Sequence, residues 1–439
     1  MNAVPKKRWF RILPAVFLMY CINMIDRNNI GFAFPGMESD LGIGATYAGL
    51  AGGIFAIGYL FLQVPGGLWA ERWSAKKLIA VALIAWGLFA GLTGFIQNVT
   101  QLLIVRFMIG FVEGCILPAI VLLLKRWFPF DERARANGIW MLSIPFAAMI
   151  MSPICGFILT YATWREMFWI EGAFPIIFCI IWMLCITDHP KDAKWLSEEE
   201  RDYLMNAAAK EESKIATKGM SIKDALKTRN VIILIAIWFL TQTGFAGYSI
   251  WLPTMMRDLT GSSQMLVGLL TSVPWFFAMI MLMLNSRHSD KTGERRFHMI
   301  VPAVSSALFL LLSTYLASTG NVTAAVISLI CCGGLIQCYY GIWWAIPTTF
   351  LTADVLAVTL GVINAVGNLG GFFGPWLFGY FTTVTGSSLG GMVFLVTASI
   401  IAPLLLLLLK KDIGKTEVSA ARKATGKVEL QYRRCLVWN

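Results

Sequence analysis

The chain has 439 residues, of which 57% are hydrophobic and 14% are charged, and its mean hydropathy is +0.68. A soluble protein of this length does not need so much apolar surface, whereas a protein with many membrane-spanning helices does. The net charge of +11 lies in short segments between apolar stretches and in the tail after Lys410. That distribution argues against nucleic-acid binding, which calls for a basic face on a soluble fold.

Twelve apolar segments are long enough to cross a bilayer as helices, which takes roughly 20 residues each. In chain order they cover 10–34, 45–70, 77–97, 101–124, 137–161, 167–187, 230–256, 264–285, 298–317, 322–350, 357–383 and 387–409. The first segment is too long for a signal peptide and no small-residue cleavage site follows it, so we expect it to remain as a span. The sequence therefore predicts an all-α membrane protein with 12 transmembrane helices.

Basic residues mark one side of the membrane. They precede span 1 and follow spans 2, 4, 8 and 12. In the alternate loops, Arg165 and Arg257 are the only basic residues. Positively charged loops are retained in the cytoplasm, so both termini are predicted to be cytoplasmic.

The predicted domains are a six-helix bundle over residues 1–187, a cytoplasmic linker over 188–229, a second six-helix bundle over 230–409 and a cytoplasmic tail over 410–439. The linker mixes acidic and basic residues, so we expect it to be solvated. We also expect a helix around Ser197–Lys210, with Ser197 as the N-cap and Glu200 three residues later.

The two halves share a repeated loop. The residues Glu71, Arg72, Lys76 and Lys77 after span 2 align with Asp290, Lys291, Arg295 and Arg296 after span 8, at a constant offset of 219 residues. A repeat of six spans is typical of secondary transporters, whose binding site lies between the halves near the bilayer midplane.

Ionisable residues well inside the spans, away from their ends, are confined to the first half. They are Asp26 and Arg27 in span 1, Arg106 and Glu113 in span 4, and Glu171 in span 6. Each charge near the bilayer centre costs about 2.5–3.5 kcal/mol on insertion scales, so these groups must face protein or a wet cavity. A buried arginine stays charged and needs an anion, whereas a buried carboxylate can take a proton. The pattern predicts a proton-dependent anion site; the alternative is a set of static ion pairs.

The repeated loop resembles the signature of the major facilitator superfamily. The first copy departs from it by having Glu71 in place of the aspartate and Ser74 in place of the second glycine. The second copy has Ser286 in place of the first glycine and Lys291 in place of the arginine. The runs Asp26-Arg27-x-Asn29-Ile30-Gly31 and Arg106-x6-Glu113-Gly114 further resemble the anion:cation symporter branch, which includes bacterial sugar-acid, tartrate and aromatic-acid permeases, sialin and the vesicular glutamate transporters. Span 7 lacks the arginine of the last group, which argues against glutamate.

The resemblance implies roles for individual residues. Arg27 and Arg106 would bind the substrate carboxylate, Asp26 and Glu113 would be protonated, and Tyr59 would contact the substrate. A conformational latch at the cytoplasmic face would comprise Gly67, Glu71, Arg72, Lys76, Lys77, Asp290, Lys291 and Arg295.

Neutral recognition is expected from polar and aromatic residues of the second half, because its spans contain no charge. The candidates are Tyr248, Gln337, Trp344, Thr348, Asn364 and Asn368, with Gln242 and Tyr340 also considered. Lipid-facing amides are costly, so Asn364 and Asn368 are predicted to point inward. Trp251, near the outer end of its span, is interpreted as an interfacial or packing residue.

These observations predict proton-coupled uptake of an organic anion by alternating access in the bacterial inner membrane, by a monomer without cofactor or metal. A sugar acid, either an aldonate or a hexuronate, is the first choice of substrate. A tartrate-like dicarboxylate, a hydroxylated aromatic acid, sodium coupling and a non-transporting nutrient sensor stay open. A membrane enzyme is disfavoured because the histidines lie in or beside loops, and an ATP-driven pump because no phosphate-binding glycine-rich motif occurs.

Overall fold

The structure is a computed structural model that describes residues 6–212, 227–343, 346–347 and 353–409. Regular structure in these ranges is helical, almost all of it α-helix with a π-helical turn at Ala70–Ser74 and 3-10 turns at Pro190–Asp192 and Leu406–Leu408, which confirms the predicted all-helical architecture. The helices of the first half and linker are α1 Lys7–Asn28, α2 Ile30–Leu41, α3 Ala45–Trp69, α4 Ala75–Thr93, α5 Val99–Glu113, α6 Ile116–Trp127, α7 Phe130–Met141, α8 Ser143–Tyr161, α9 Trp164–Cys185 and α10 Glu198–Glu212.

The second half, like the first, consists mainly of long helices. Its helices are α11 Arg229–Thr260, α12 Gln264–Thr292, α13 Phe297–Ser318, α14 Val322–Ile336, α15 Tyr340–Trp343, α16 Ala353–Asn368, α17 Gly370–Thr385 and α18 Ser388–Leu405. Within the described ranges, ten helical runs are long and apolar enough to cross a membrane. One of them, Ala45–Thr93, has 49 residues and corresponds to predicted spans 2 and 3. Predicted span 11 is divided between α16 and α17, and the total of twelve stays a prediction.

Several of these helices are consecutive parts of one span, as in the runs Lys7–Leu41, Val99–Trp127 and Arg135–Tyr161. Successive spans run in opposite directions, which gives the molecule two ends. We call the end with Lys7, Trp127 and Arg229 the basic end, and the end with Leu41 and Thr260 the far end. Two helix termini at the basic end, one N-terminus and one C-terminus, have residues typical of helix caps. Ser74 caps α4 by accepting a hydrogen bond from the Lys77 amide, and α12 ends at Gly293, whose φ of 65° suits glycine.

Three apolar cores organise the packing. One lies within the first half and the linker and is centred on residues such as Trp86, Trp127 and Trp140. A second lies within the second half around Trp238 and Trp343. The third is shared, because residues of both halves pack together near the far end. The halves therefore meet most closely at the far end.

Glycines make this contact close. A Cβ atom on Gly49 would lie 2.2 Å from the Pro375 carbonyl oxygen, and one on Gly53 would lie 2.3 Å from that of Phe372. Gly156 and Gly268 bring α8 and α12 together in the same way. At the edge of this contact, Thr46 donates a hydrogen bond to Thr383 at 2.8 Å. Small residues allow such backbone approach between membrane helices.

The linker is packed more tightly than its composition predicts. Its helix α10 begins after Ser197, as expected, and the Glu200 amide donates to the Ser197 hydroxyl at 3.3 Å. The Glu200 carboxylate, however, is buried and accepts a hydrogen bond from the Arg8 guanidinium at 2.6 Å. Trp195 also stacks on Trp127, with ring centroids 5.2 Å apart. The first part of the linker is therefore attached to the first bundle and not fully solvated.

Candidate functional site

A cavity of about 210 Å³ lies between the two halves, on the basic-end side of the shared core. Both halves supply its walls: Tyr20, Met24, Arg27, Asn28, Gly52, Phe55, Ala56, Tyr59, Leu117, Met141 and Ile144 from the first, and Trp238, Gln242, Phe245, Ala246, Ser249, Ile250, Gln337, Tyr340, Asn364, Asn368 and Gly371 from the second. Among these described lining residues, Arg27 is the only charged one. The volume is below the roughly 300–1,000 Å³ typical of drug-sized ligands, so it suits a small metabolite.

Helix interruptions occur beside the residues of this site. In the described ranges, α1 gives way to α2 at Asn29, α5 to α6 at Gly114 and Cys115, α14 to α15 after Gln337, and α16 to α17 at Leu369. Irregular backbone at membrane depth is tolerated where it is buried in protein or lines a cavity. The interruptions therefore lie next to residues of the cavity, whereas the sequence predicts continuous helical spans.

Arg27 joins the cavity wall to a buried acid. Its Nε donates to the Glu113 carboxylate at 3.0 Å and its Nη2 to the Asn23 side-chain oxygen at 3.2 Å. The guanidinium also lies over the rings of Tyr59 and Phe55, 4.6 and 5.1 Å from their centroids. Arg27 retains 23% exposure, whereas Glu113 has none. The arginine is thus the charged group that an anion entering the cavity would meet.

Two glycines on the helix pair α5–α6 set the position of this ion pair. A Cβ atom on Gly110 would lie 2.1 Å from the Phe55 carbonyl oxygen, and one on Gly114 would lie 2.4 Å from that of Tyr59. The close approach brings the Phe55 and Tyr59 rings of α3 against Arg27, next to Glu113.

Arg106 lies in a different environment from Arg27. It is fully buried and does not line the cavity in this conformation. Its Nη1 donates to the backbone carbonyl of Asp26 at 2.9 Å, and its Nε donates to that of Ala51 at 3.3 Å. The carbonyls in the last turn of α1 lack partners within the helix, and Arg106 satisfies one of them. Its predicted role in carboxylate binding stays a prediction.

Asp26 also faces away from the cavity. Its carboxylate accepts a hydrogen bond from the Trp86 indole and another from the Asn29 amide at 3.4 Å. The same amide donates to Glu171. The sequence placed Glu171 inside a span but did not include it in the site, and nothing distinguished Trp86 from the other tryptophans. The only sequence feature that pointed to this group of contacts was the position of Asn29, close to the Asp26–Arg27 pair.

Neutral groups of the second half form a connected network in the cavity wall. Tyr340 donates to the Gln242 side-chain oxygen at 2.5 Å, and Gln242 donates to that of Asn368 at 3.1 Å. Asn364 and Gln337 line the same wall, and the Gln337 Nε2 atom has no hydrogen-bond partner among the described residues. This atom is a free donor for an oxygen-rich ligand.

Other predicted residues lie elsewhere. Tyr248 is fully buried and donates to the Leu329 carbonyl at 2.9 Å, outside the cavity lining. Trp251 packs within the shared core and donates to the Pro375 carbonyl at 2.9 Å, in keeping with its interpretation as a packing residue. Trp344 and Thr348 fall outside the described residues.

The predicted latch residues lie at the basic end. In the first half, the Lys76 amide donates to Asp188 at 2.9 Å, which ties the loop to the start of the linker. Glu71 and Arg72 are exposed. In the second half, Arg295 pairs with Asp290 at 3.2 Å within its own loop. Neither of these two contacts joins the two halves, and the latch role stays a prediction.

Comparisons with known proteins give a consistent picture. The family model described as Major Facilitator Superfamily matches residues 16–375. A putative tartrate transporter of Agrobacterium vitis is 35% identical over 94% of this chain and 92% of its own length. A quinolone resistance transporter of Acinetobacter baumannii is 31% identical, with 88% and 90% covered, and a hexuronate transporter of Bacillus subtilis is 25% identical, with 91% and 94% covered.

Among solved structures, the chain is similar to the inward-open xylose transporter XylE from E. coli, with a TM-score of 0.74 over 94% of this chain and 99% of that one. The sequences are only 13% identical, so this likeness concerns the fold alone.

Proposed function

This chain belongs to the Major Facilitator Superfamily, and from that premise we propose that it takes up a small organic anion together with protons, by alternating access. The proposal places the basic end in the cytoplasm, because the positive loops lie there. It also places the protein in a bacterial inner membrane, since the relatives above are bacterial. Monomeric function and the domain limits predicted above belong to the same proposal.

The observation that carries the proposal is the arrangement at Arg27. One side of the guanidinium is held by the buried Glu113, and the residue is partly exposed at the wall of a cavity whose other described lining is uncharged. A guanidinium binds carboxylates through paired hydrogen bonds in its own plane. A carboxylate in the cavity would therefore compete with Glu113 for Arg27.

This competition provides a mechanism for proton coupling. When a substrate anion takes hydrogen bonds from Arg27, Glu113 loses part of its counter-charge while it is still buried. A buried carboxylate without a counter-charge is favoured in its protonated form. Anion binding and proton binding therefore promote each other, and by linkage the effect is reciprocal. Sodium could in principle replace the proton at a carboxylate, so the experiment below includes a sodium gradient.

The cavity geometry corresponds to one stage of alternating access. Close packing of α3 on α17 and of α8 on α12 closes the far end, and the cavity lies toward the basic end. With the basic end in the cytoplasm, this conformation faces inward. The opposite stage requires separation at the glycine contacts and closure at the predicted latch.

A sugar acid is the substrate class that we favour. Its carboxylate suits Arg27, and its hydroxyl groups suit the side chains of Gln242, Gln337 and Asn368, which offer both donors and acceptors. The named substrates of two relatives, tartrate and hexuronate, are hydroxylated acids of this kind.

A hydroxylated aromatic acid is the second candidate, because aromatic rings line much of the cavity. Phe55, Tyr59, Trp238, Phe245 and Tyr340 could enclose a planar ring, and ring pairs are favourable beyond their buried area. The relative named for quinolone resistance makes this candidate worth testing beside the first.

The experiment is uptake of a panel of radiolabelled acids into proteoliposomes, with an imposed pH gradient and then a sodium gradient. The panel contains aldonates, hexuronates, tartrate and hydroxybenzoates. We expect saturable uptake of a sugar acid driven by the pH gradient. Arg27→Ala should abolish uptake, and Glu113→Gln should lose accumulation but keep exchange, because a neutral side chain at that position resembles the protonated state.

The matched control is Arg287→Ala, which removes the charge of an exposed arginine outside the cavity and should leave uptake unchanged. Transport of aromatic acids in preference to sugar acids would favour the second candidate. Normal transport by both cavity variants would contradict the mechanism, and movement of no acid by the wild type would contradict the function.

A further inference from the structure

Three polar side chains in the second-half wall of the cavity are linked by consecutive hydrogen bonds. The Tyr340 hydroxyl donates to Gln242 Oε1 at 2.5 Å, and Gln242 Nε2 donates to Asn368 Oδ1 at 3.1 Å. All three side chains line the cavity and are half-buried. We call these three residues the Tyr340 relay. The direction of its hydrogen bonds decides which polar atoms are left for a ligand.

The ring of Tyr340 is held by packing that does not depend on its hydroxyl group. Trp238 lies four residues before Gln242 on α11, and Phe245 lies three residues after it, so the three side chains share one face of the helix. The Tyr340 ring packs against both aromatic rings, with its centroid 5.1 Å from that of Trp238 and 5.6 Å from that of Phe245. This packing directs the hydroxyl group at Gln242, which lies between the two rings along the helix.

The hydroxyl proton of Tyr340 fixes the direction of the relay. A phenol has one proton to donate, whereas an amide has an oxygen that accepts and a nitrogen that donates. Within the described part of the chain, Gln242 Oε1 is the only acceptor bonded to this hydroxyl. Because an unpaired half-buried donor costs free energy, the Gln242 oxygen stays turned toward Tyr340. The Gln242 nitrogen then faces Asn368, which has to present its own oxygen.

The relay therefore leaves a nitrogen for the ligand. Asn368 Nδ2 has no hydrogen-bond partner among the described residues, and the side chain lines the cavity. Gln337 Nε2 is a second donor of this kind, because the Gln337 side chain is 3% exposed and this atom is unpaired. Asn364 lines the same wall but is not bonded to the relay, so its amide can turn to suit either a donor or an acceptor. Amides in general offer both groups, but the two fixed ones here offer N–H.

We propose that Tyr340 is a positioning residue that orients Gln242 and Asn368, and that it thereby makes the cavity prefer acids whose distal end carries an acceptor oxygen without a proton. Such an oxygen belongs to a carbonyl group or to a second carboxylate, at the end of the molecule away from the carboxylate bound by Arg27. This inference rests on the proposed function and narrows its substrate class. A distal hydroxymethyl group brings a proton of its own, and neither Gln337 Nε2 nor Asn368 Nδ2 can accept it. Sites with fixed hydrogen-bonding groups discriminate between ligands in this way.

The test is the affinity of the purified protein, measured by calorimetry, for three acids that differ only at the distal carbon. Gluconate ends in a hydroxymethyl group, glucarate ends in a second carboxylate, and the methyl ester of that carboxylate is a neutral acceptor. We expect the wild type to bind glucarate, its ester or both about fivefold more tightly than gluconate, which is the usual effect of one hydrogen bond. If the uptake panel selects aromatic acids, para-hydroxybenzoate and terephthalate form the equivalent pair.

Tyr340→Phe removes the hydroxyl group and keeps the ring packing. With the Gln242 oxygen released, both amides can turn, so we expect the affinities for the acids to come within about twofold of one another, while gluconate still binds. A merely structural role of Tyr340 would weaken all the acids together and leave their ratio unchanged.

Gln242→Met interrupts the relay at its middle residue and covers the case in which Tyr340→Phe does not fold. We expect the same loss of preference from it. The double variant should have no further effect on the ratio, because both substitutions break the same relay and are therefore not additive.

The matched control is Tyr339→Phe, which removes a hydroxyl group from the adjacent residue. Tyr339 is 5% exposed and packs in the second-half core, outside the cavity lining, so this variant should keep the wild-type ratio. Equal affinities of the wild type for all the acids, or a wild-type ratio in Tyr340→Phe or Gln242→Met, would overturn the inference and leave the proposed function standing. Failure of the wild type to take up any acid of the panel would overturn the proposed function itself.

Discussion

At the scale of single residues, Arg8, Arg27 and Arg106 of the first half have guanidinium groups that are hydrogen-bonded in three different ways. Arg8 binds two carboxylates, those of Glu132 and Glu200, each at 2.6 Å. Arg106 binds backbone carbonyls, and Arg27 divides its hydrogen bonds between Glu113 and Asn23 while it faces a cavity. Only the third arrangement offers a guanidinium to a ligand. The three positions therefore have different expected roles although the residue type is the same.

The Arg8 network makes a direct prediction about stability. Arg8→Ala leaves the buried carboxylate of Glu200 without its partner, and breaking such a buried pair typically costs about 3–5 kcal/mol. We expect a clearly lower melting temperature in detergent and release of the linker helix α10, detected as faster proteolysis between residues 198 and 212.

The double variant Arg8→Leu with Glu200→Leu removes both charges and should regain most of the loss. Lys7→Ala, at an exposed neighbouring position, should have no effect. Equal melting temperatures for Arg8→Ala and the wild type would show that the contact does not hold the linker.

The sequence identified some of these residues for physical reasons and could not identify others. Arg27 was recognisable because a charge deep in a span needs a wet cavity, and the structure places it at one. The partner of Arg106 was not predictable, because a backbone carbonyl leaves no mark in the sequence. Glu171 bonds to Asn29 across 142 residues, and no local spacing encodes a pairing of that kind.

At the scale of helices, the glycine contacts at the far end determine which conformation is stable. Gly53→Val would put side-chain atoms against the Phe372 carbonyl, where even a Cβ atom lies 2.3 Å away. The far end could not close as it does here, so the population should shift toward conformations open at that end. We expect Thr46→Cys, at the far-end contact between the halves, to react severalfold faster with a membrane-impermeant maleimide in the Gly53→Val background.

Gly91→Val is the control for this prediction, since a Cβ atom at Gly91 meets nothing within 4 Å. Labelling of the native cysteines is subtracted by measuring the parent chains. An unchanged labelling rate in Gly53→Val would mean that the α3–α17 contact does not control closure.

Helix existence followed from the sequence, but helix continuity did not. Hydrophobic length was sufficient to mark the ten apolar helical runs of the described residues, because it reflects the thickness of the bilayer core. The interruption at Asn29 has no glycine or proline at that position, whereas the one at Leu369 is followed directly by Gly370 and Gly371, where a helix can bend.

At the scale of the whole molecule, the two halves contribute different kinds of side chain to the proposed site. The first half contains the buried charges, and the described lining of the cavity from the second half consists of neutral amides, hydroxyls and aromatic rings. Anion binding and proton binding can then be coupled within one bundle, while substrate contacts bridge both bundles and favour closure around the ligand. The asymmetry of charge was evident from the sequence, because the division at the linker separates it cleanly.

The most direct test of this account is the number of protons taken up when the purified protein binds its acid. Calorimetry in buffers of different ionisation enthalpy measures this number without transport. The account predicts net proton uptake on binding at neutral pH, a smaller uptake in Glu113→Gln, and no binding in Arg27→Ala. Tight binding of the acid with no proton uptake, or with uptake unchanged in Glu113→Gln, would contradict the coupling between Arg27 and Glu113.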